Sequence, residues 1–187
     1  MRGKVIVVSA PSGSGKTTIV KYLLSEFPEL VFSVSATTRK PRKGETHGKE
    51  YFFISEEEFK KKIEENQFVE WEKFYDYYYG TLREYVDKNL DEGKFVVLEL
   101  DVKGALNIKK QYSDAKLIFI APPSIEELKK RLKQRNTETE EDFKKRIERA
   151  EMEMSYKDKF DYVITNDNLD EAKQNAKKII ENILRGD

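Results

Sequence analysis

The residues with the clearest chemistry stand near the N-terminus. Ala10-Pro11-Ser12-Gly13-Ser14-Gly15-Lys16-Thr17 follows a short Val/Ile run and opens an amphipathic stretch. Closely spaced glycines let successive backbone N–H groups turn inward around a phosphate, and a helix beginning there adds the positive end of its dipole. In such a phosphate loop Lys16 reaches the β- and γ-phosphates of a bound ATP, the Thr17 hydroxyl ligates Mg2+, and Thr18 continues the cradle. The strict pattern G-x-x-x-x-G-K-[ST] has glycine where this chain has Ala10, which serves if its φ is negative. The bland alternative is a flexible Gly/Ser loop that happens to precede a helix. Strand, loop and helix in the required order speak against it.

Arginines are the second signal. Arg39 and Arg42 flank Pro41, Arg131 and Arg135 are four apart, and Arg146 and Arg149 lie on the following segment. Any one of them would pass as a solvated surface residue. Phosphoryl transfer, however, is catalysed by positioning and by cations around the transferring group. An acceptor that is itself a phosphate demands more guanidinium groups than most chemistry does. A GTPase explains less. Asp101-Val102-Lys103-Gly104 fits its D-x-x-G element, but Asn166-Asp167-Asn168 lacks the lysine of a guanine-reading N-K-x-D loop.

A chain of 187 residues suits one domain with a full core. Lys and Arg total 35 against 35 Asp and Glu, so no global basic field favours nucleic acid. With no cysteine and a single histidine, His47, disulfides and thiolate metal sites are excluded. No apolar run approaches the roughly 18 residues of a bilayer span, and nothing resembles a signal peptide. The expectation is a cytoplasmic protein without a membrane partner.

The site needs elements to hold it. Short β-branched runs at 5–8, 31–35, 95–98, 117–120 and 162–164 predict buried parallel strands, and amphipathic segments alternate with them. Phe143, Ile147, Ala150 and Met154 mark the apolar face of one helix; Leu169, Ala172, Ala176, Ile179, Ile180 and Ile183 mark that of the last. Capping boxes fit Ser55 with Glu58, Ser124 with Glu127 and Thr139 with Asp142, while Gly93 suits the end of a helix at 82–92. Residues 133–142 read as a charged loop between two helices. Tyr75, Tyr77 and Tyr78 suit an aromatic patch, Met152 a core position, and Phe68 and Trp71 core positions that fix Glu70. The fold class is α/β with a parallel core sheet flanked by helices in three layers.

Several motifs occur in order over nearly the whole chain. They are Ser33 to Arg42 (SVSATTRKPR), Gly48 to Phe53 (GKEYFF), Phe68 to Trp71 (FVEW), Tyr78 to Thr81 (YYGT), Ile120 to Ser124 (IAPPS) and Arg135 to Glu140 (RNTETE). Together they resemble the guanylate kinase family of P-loop nucleoside monophosphate kinases. The resemblance implies a core of about 1–35, 82–132 and 147–187, an inserted GMP-binding arm of about 36–81, and a lid of about 133–146. It implies ATP and GMP as ligands, Mg2+ as cofactor, and direct transfer without a covalent intermediate. Arg39, Arg42, Tyr51 and Tyr79 would hold the GMP phosphate, and Ser35, Glu70, Thr81 and Asp101 would read guanine. Arg131, Arg135 and Arg146 would close on the ATP phosphates, with Lys16, Arg42, Arg135 and Arg146 nearest the chemistry and Asn166 near adenine. Asn136 stands where relatives often carry Gly, and Glu99 where many carry Asp. Guanine offers N1–H and N2–H donors to an ionised Glu70, whereas adenine turns a lone pair toward it. A catalytically silent binding module is the competing reading, and the intact Gly15-Lys16-Thr17 argues against it. Acceptance of dGMP and the choice between monomer and homo-oligomer stay open.

Overall fold

The computed structural model describes residues 2–74, 76–134 and 140–186. Five parallel strands form the core sheet: β1 (Val5–Ser9), β2 (Leu30–Phe32), β7 (Phe95–Glu99), β8 (Lys116–Ala121) and β9 (Tyr162–Thr165), in the order β2-β7-β1-β8-β9. All five residues of β1 are buried, as expected for a central strand covered on both faces. Ile6 and Val8 face α1 (Lys16–Glu26) and α7 (Leu169–Arg185). Val5 and Val7 face α3 (Arg83–Asp91) and α4 (Val102–Gln111). Helices on both faces of a parallel sheet make the three-layer arrangement the alternation of elements predicts.

Between β2 and β7 the chain builds a second sheet of β3 (Ala36–Thr37), β4 (Phe52–Phe53), β5 (Phe68–Phe74) and β6 (Tyr77–Leu82), ordered β4-β3-β6-β5. It carries its own small core beneath α2 (Glu56–Glu64), where the Phe59 ring stacks on Phe68 at 4.3 Å and meets Tyr78 at 5.3 Å. Gly80 is obligatory: a Cβ there would stand 2.9 to 3.0 Å from Phe68, Phe59 and Trp71. Ser55 caps α2 by accepting from the Glu58 N–H at 3.0 Å, and Lys60 and Lys62 pair with Glu56 and Glu58 along its exposed side. Beyond β8, α5 (Ile125–Gln134) and α6 (Glu140–Met154) pack through Leu128, Leu132, Ile147 and Ala150. No helix among the described residues is long and apolar enough to cross a membrane.

Several local expectations need correcting. The strand expected over 31–35 stops at Phe32, because the chain leaves the core sheet there to begin the arm. The loop at 133–142 is shorter, since helix runs through 134 and resumes at 140; the Thr139 cap lies outside the described residues. Leu169, Met152 and Trp71 are exposed rather than packed, at 38%, 38% and 46%. Leu169 opens α7 before the helix reaches the sheet, and Phe68 alone of its pair enters the arm core. Tyr78 packs in the aromatic patch, Tyr77 projects outward, and Tyr75 lies outside the described residues. Gly93 ends α3 with φ 79° as the pattern requires.

Because the arm has a core of its own, its stability should be separable from that of the sheet. Phe59→Ala is expected to cost about 3–5 kcal/mol in the arm. Hydrogen exchange should then accelerate across α2, β5 and β6 while the β1 amides stay protected. Equal acceleration in β1 would contradict this division.

Candidate active site

The phosphate loop has the backbone its glycines suggest. Gly13 and Gly15 take φ of 90° and 88°, while Asn66 is the only described non-glycine residue with positive φ, so Ala10 meets its condition. The helix α1 starts at Lys16, and its N-terminal dipole faces the loop. What locks the loop is Asn166, only 5% exposed just past the end of β9. Its Nδ2 donates to the Ser14 carbonyl at 2.8 Å, its backbone N–H donates to Ala121, and its carbonyl accepts from Arg131 at 3.0 Å. A Cβ on Gly15 would come within 2.4 Å of that Nδ2. The resemblance puts Asn166 beside adenine; in this structure its side chain ties the loop through Ser14, and its backbone carbonyl holds Arg131. Lys16 Nζ stands 3.9 Å from Glu99, and the Thr17 hydroxyl 3.4 Å from the same carboxylate.

The loop opens onto a cleft of about 2020 Å3. From the arm it is lined by Ser35, Arg42, Tyr51, Glu70 and Tyr79, from the core by Asp101, and from α6 by Arg146 and Arg149. Thr81, Arg39, Arg131 and Asn166 stand behind this surface. Arg135 lies outside the described residues.

At one end of the arm Arg39 is held by Glu45, which pattern reading passed over. Two parallel bonds of 2.9 Å join guanidinium to carboxylate, and the Arg42 N–H adds a third to the same carboxylate at 2.7 Å. Arg39 holds the Glu45 carboxyl below the usual carboxylate range, and Glu45 raises Arg39 in return. Tyr51 completes this end, with Arg39 5.4 Å over its ring and Tyr79 6.0 Å away edge-on. The arrangement fixes Arg39 and the Arg42 backbone, and Arg42, Tyr51 and Tyr79 line the cleft at this end, chemistry suited to a phosphate.

At the other end, Glu70 on β5 faces Thr81 on β6, and the Thr81 hydroxyl donates to Oε1 at 2.7 Å. Burial pushes the Glu70 carboxyl up to about 7, Thr81 opposes the shift, and Glu72 and Asp101 add to it. Asp101 caps α4, accepting from Gly104 N–H at 2.7 Å, and its other oxygen lies 3.7 Å from Arg149. Arg149 in turn bonds the buried Glu153 at 3.0 Å. Burial raises the Glu153 pKa, and the hydrogen bond from Arg149 lowers it. A shielded carboxylate beside a hydroxyl is a reader for a planar group with adjacent N–H donors.

A phosphate loop at the carboxyl edge of a parallel sheet, facing an arm with one basic end and one acidic end, defines a P-loop protein with two adjoining ligand sites. The guanylate kinase family profile matches residues 2–183. Guanylate kinase from Caldanaerobacter subterraneus is 52% identical over 179 residues, 96% of this chain and 87% of that one. Guanylate kinase from Bacteroides thetaiotaomicron is 52% identical over 186 residues, 98% of this chain and 91% of that one. The crystal structure of guanylate kinase from Anaplasma phagocytophilum superimposes with a TM-score of 0.73 at 33% identity, covering 99% of this chain and 86% of that one. The chain belongs to the guanylate kinase family.

The raised Glu70 pKa sets a pH dependence. A carboxyl whose folded pKa lies above its unfolded value stabilises the fold fully at low pH, and that contribution is lost as pH rises through about 7. Glu70→Gln removes the buried charge, so the unliganded variant should exceed the wild type by about 1–3 kcal/mol at pH 8 and match it near pH 4, below the unfolded pKa. Denaturant unfolding at both pH values checks this; a difference independent of pH would contradict it.

Proposed function

We propose that the chain transfers the γ-phosphoryl group of ATP to GMP, giving ADP and GDP. The observation that carries this reading is the shared cleft, with the phosphate loop on one wall and the shielded Glu70–Thr81 pair on the other. Residues 10–18 cradle the ATP phosphates, with Arg131 and Arg135 closing on them. Arg39, Arg42, Tyr51 and Tyr79 hold the GMP phosphate, and Ser35, Glu70, Thr81 and Asp101 hold the base. Asn166, near the adenine of ATP by the family resemblance, also fixes the loop and Arg131.

Mg2+ suits the exit of the loop. The Thr17 hydroxyl and the Glu99 carboxylate are hard oxygen donors 3.4 Å apart, and phosphate oxygens with water would complete an octahedral set. When bound, the ion neutralises charge on the triphosphate.

A GMP phosphate oxygen attacks the γ-phosphorus in line while the bond to the β–γ bridging oxygen breaks, and ADP departs. No side chain is needed as a base, because the attacking oxygen is already ionised near neutral pH. Lys16, Arg42, Arg135 and Arg146 surround the transferring group and stabilise its charge. The arm at 36–81 brings GMP to the loop. The lid at 133–146 excludes water, which otherwise would take the phosphoryl group. The protein is read as cytoplasmic, acting as monomer or homo-oligomer, with neither nucleic acid nor membrane as partner.

A coupled assay of ADP release with MgATP and GMP, AMP, CMP or UMP tests the proposal. Turnover is expected with GMP, with AMP slower by roughly 10⁴-fold or more. Lys16→Ala should reduce kcat by about 10³-fold or more while the protein stays folded. Efficient turnover of another acceptor would discard the guanine site, and near-normal activity of the Lys16 variant would discard the mechanism.

A further inference from the structure

Glu72 lies two residues beyond Glu70 on β5, so both side chains leave the same face of the strand. Each faces a site residue across the hairpin: Glu70 pairs with Thr81, Glu72 with Tyr79. Two residues advance a strand by about 7 Å. That is comparable to the reach from the base-pairing edge of a purine to its sugar hydroxyls. The carboxylate of Glu72 lines the cleft, and among the described residues no hydrogen bond or ion pair engages it. Burial and Asp101 raise its pKa, while Arg149 and Lys16 lower it. It is therefore a solvent-exposed carboxylate on the cleft wall without a structural task.

Resting on the reading of the cleft as a GMP site, we propose that Glu72 accepts the ribose 2′-hydroxyl of the acceptor and makes the enzyme prefer GMP over dGMP. With guanine at Glu70 and the phosphate between Tyr79, Tyr51 and the arginines, the sugar crosses the strand pair beside Glu72. An ionised carboxylate only accepts hydrogen bonds. Beside a phosphate it adds repulsion unless a donor of the same ligand faces it, and a sugar hydroxyl is such a donor. Loss of the hydroxyl in dGMP leaves the carboxylate partly desolvated and without a partner, which costs binding.

The experiment compares kcat/KM for GMP and dGMP at saturating MgATP in the wild type, Glu72→Ala and Glu72→Gln. Melting curves check that the substitutions, at an exposed position, leave the fold intact. The wild type should favour GMP by about tenfold, the scale of one hydrogen bond to a charged acceptor. Glu72→Ala should lose part of that factor on GMP, chiefly through KM, and recover the rest on dGMP, so that the ratio falls to about one. Glu72→Gln keeps an acceptor oxygen and should retain part of the preference. An unchanged ratio, equal losses on both substrates, or a wild type indifferent to the hydroxyl would overturn the assignment and leave the kinase reading standing. A wild type that turns over neither nucleotide would overturn both.

Discussion

Two phosphate groups in contact repel each other, by about 4 kcal/mol per pair of unit charges at 4 Å in a medium of effective dielectric 20. A cleft that brings a triphosphate to a monophosphate must offset this with cations and backbone donors that are already in place. The loop at 10–17 presents backbone donors at the head of α1, and Asn166 ties its Ser14 carbonyl to the ends of β8 and β9. Arg131 is fixed by the same residue. Across the cleft, Glu45 holds Arg39 and the Arg42 backbone in one grip. Arg39 and Arg131 are thus held in place by the fold before any ligand arrives, the kind of preorganisation such a reaction needs.

Acidic residues have the complementary task. Glu70, Asp101 and Glu153 line the same cleft. Arg149 stands between Asp101 and Glu153 and compensates them. Glu70 is left with a hydroxyl partner and a raised pKa, and a guanine edge would relieve the cost of its charge. Specificity on this account comes from the cost of leaving that carboxylate unmatched rather than from any surplus of contacts.

Much of this was legible in the sequence, for physical reasons. The phosphate loop is local, its glycines dictating positive φ within one turn of chain, so spacing alone revealed it. The alternation of β-branched runs with amphipathic segments gave the parallel sheet and its covering helices. Legibility ended where a residue's role depends on what the fold brings beside it. Asn166 meets Ser14 across 152 positions, and Glu45 has meaning only once Arg39 folds back on it. Glu72 became visible through hairpin register. Leu169 misled because periodicity marks a face without saying where along an element the core ends, and Met152 and Trp71 because an apolar side chain alone does not say that it is buried. The strand at 31–35 misled because the departure of the arm at Phe32 leaves no break in hydrophobicity.

The central claim is that an ionised Glu70 receives the guanine edge. In the unliganded protein that carboxyl is close to half-protonated at neutral pH, and donors from guanine favour its charged form. Calorimetric titration with GMP at pH 7 in two buffers of different ionisation enthalpy measures the protons exchanged on binding. The account predicts release of about half a proton per site, absent in Glu70→Gln and shrinking as pH rises above 7. Binding of GMP without proton release, or release undiminished in the Glu70 variant, would contradict it.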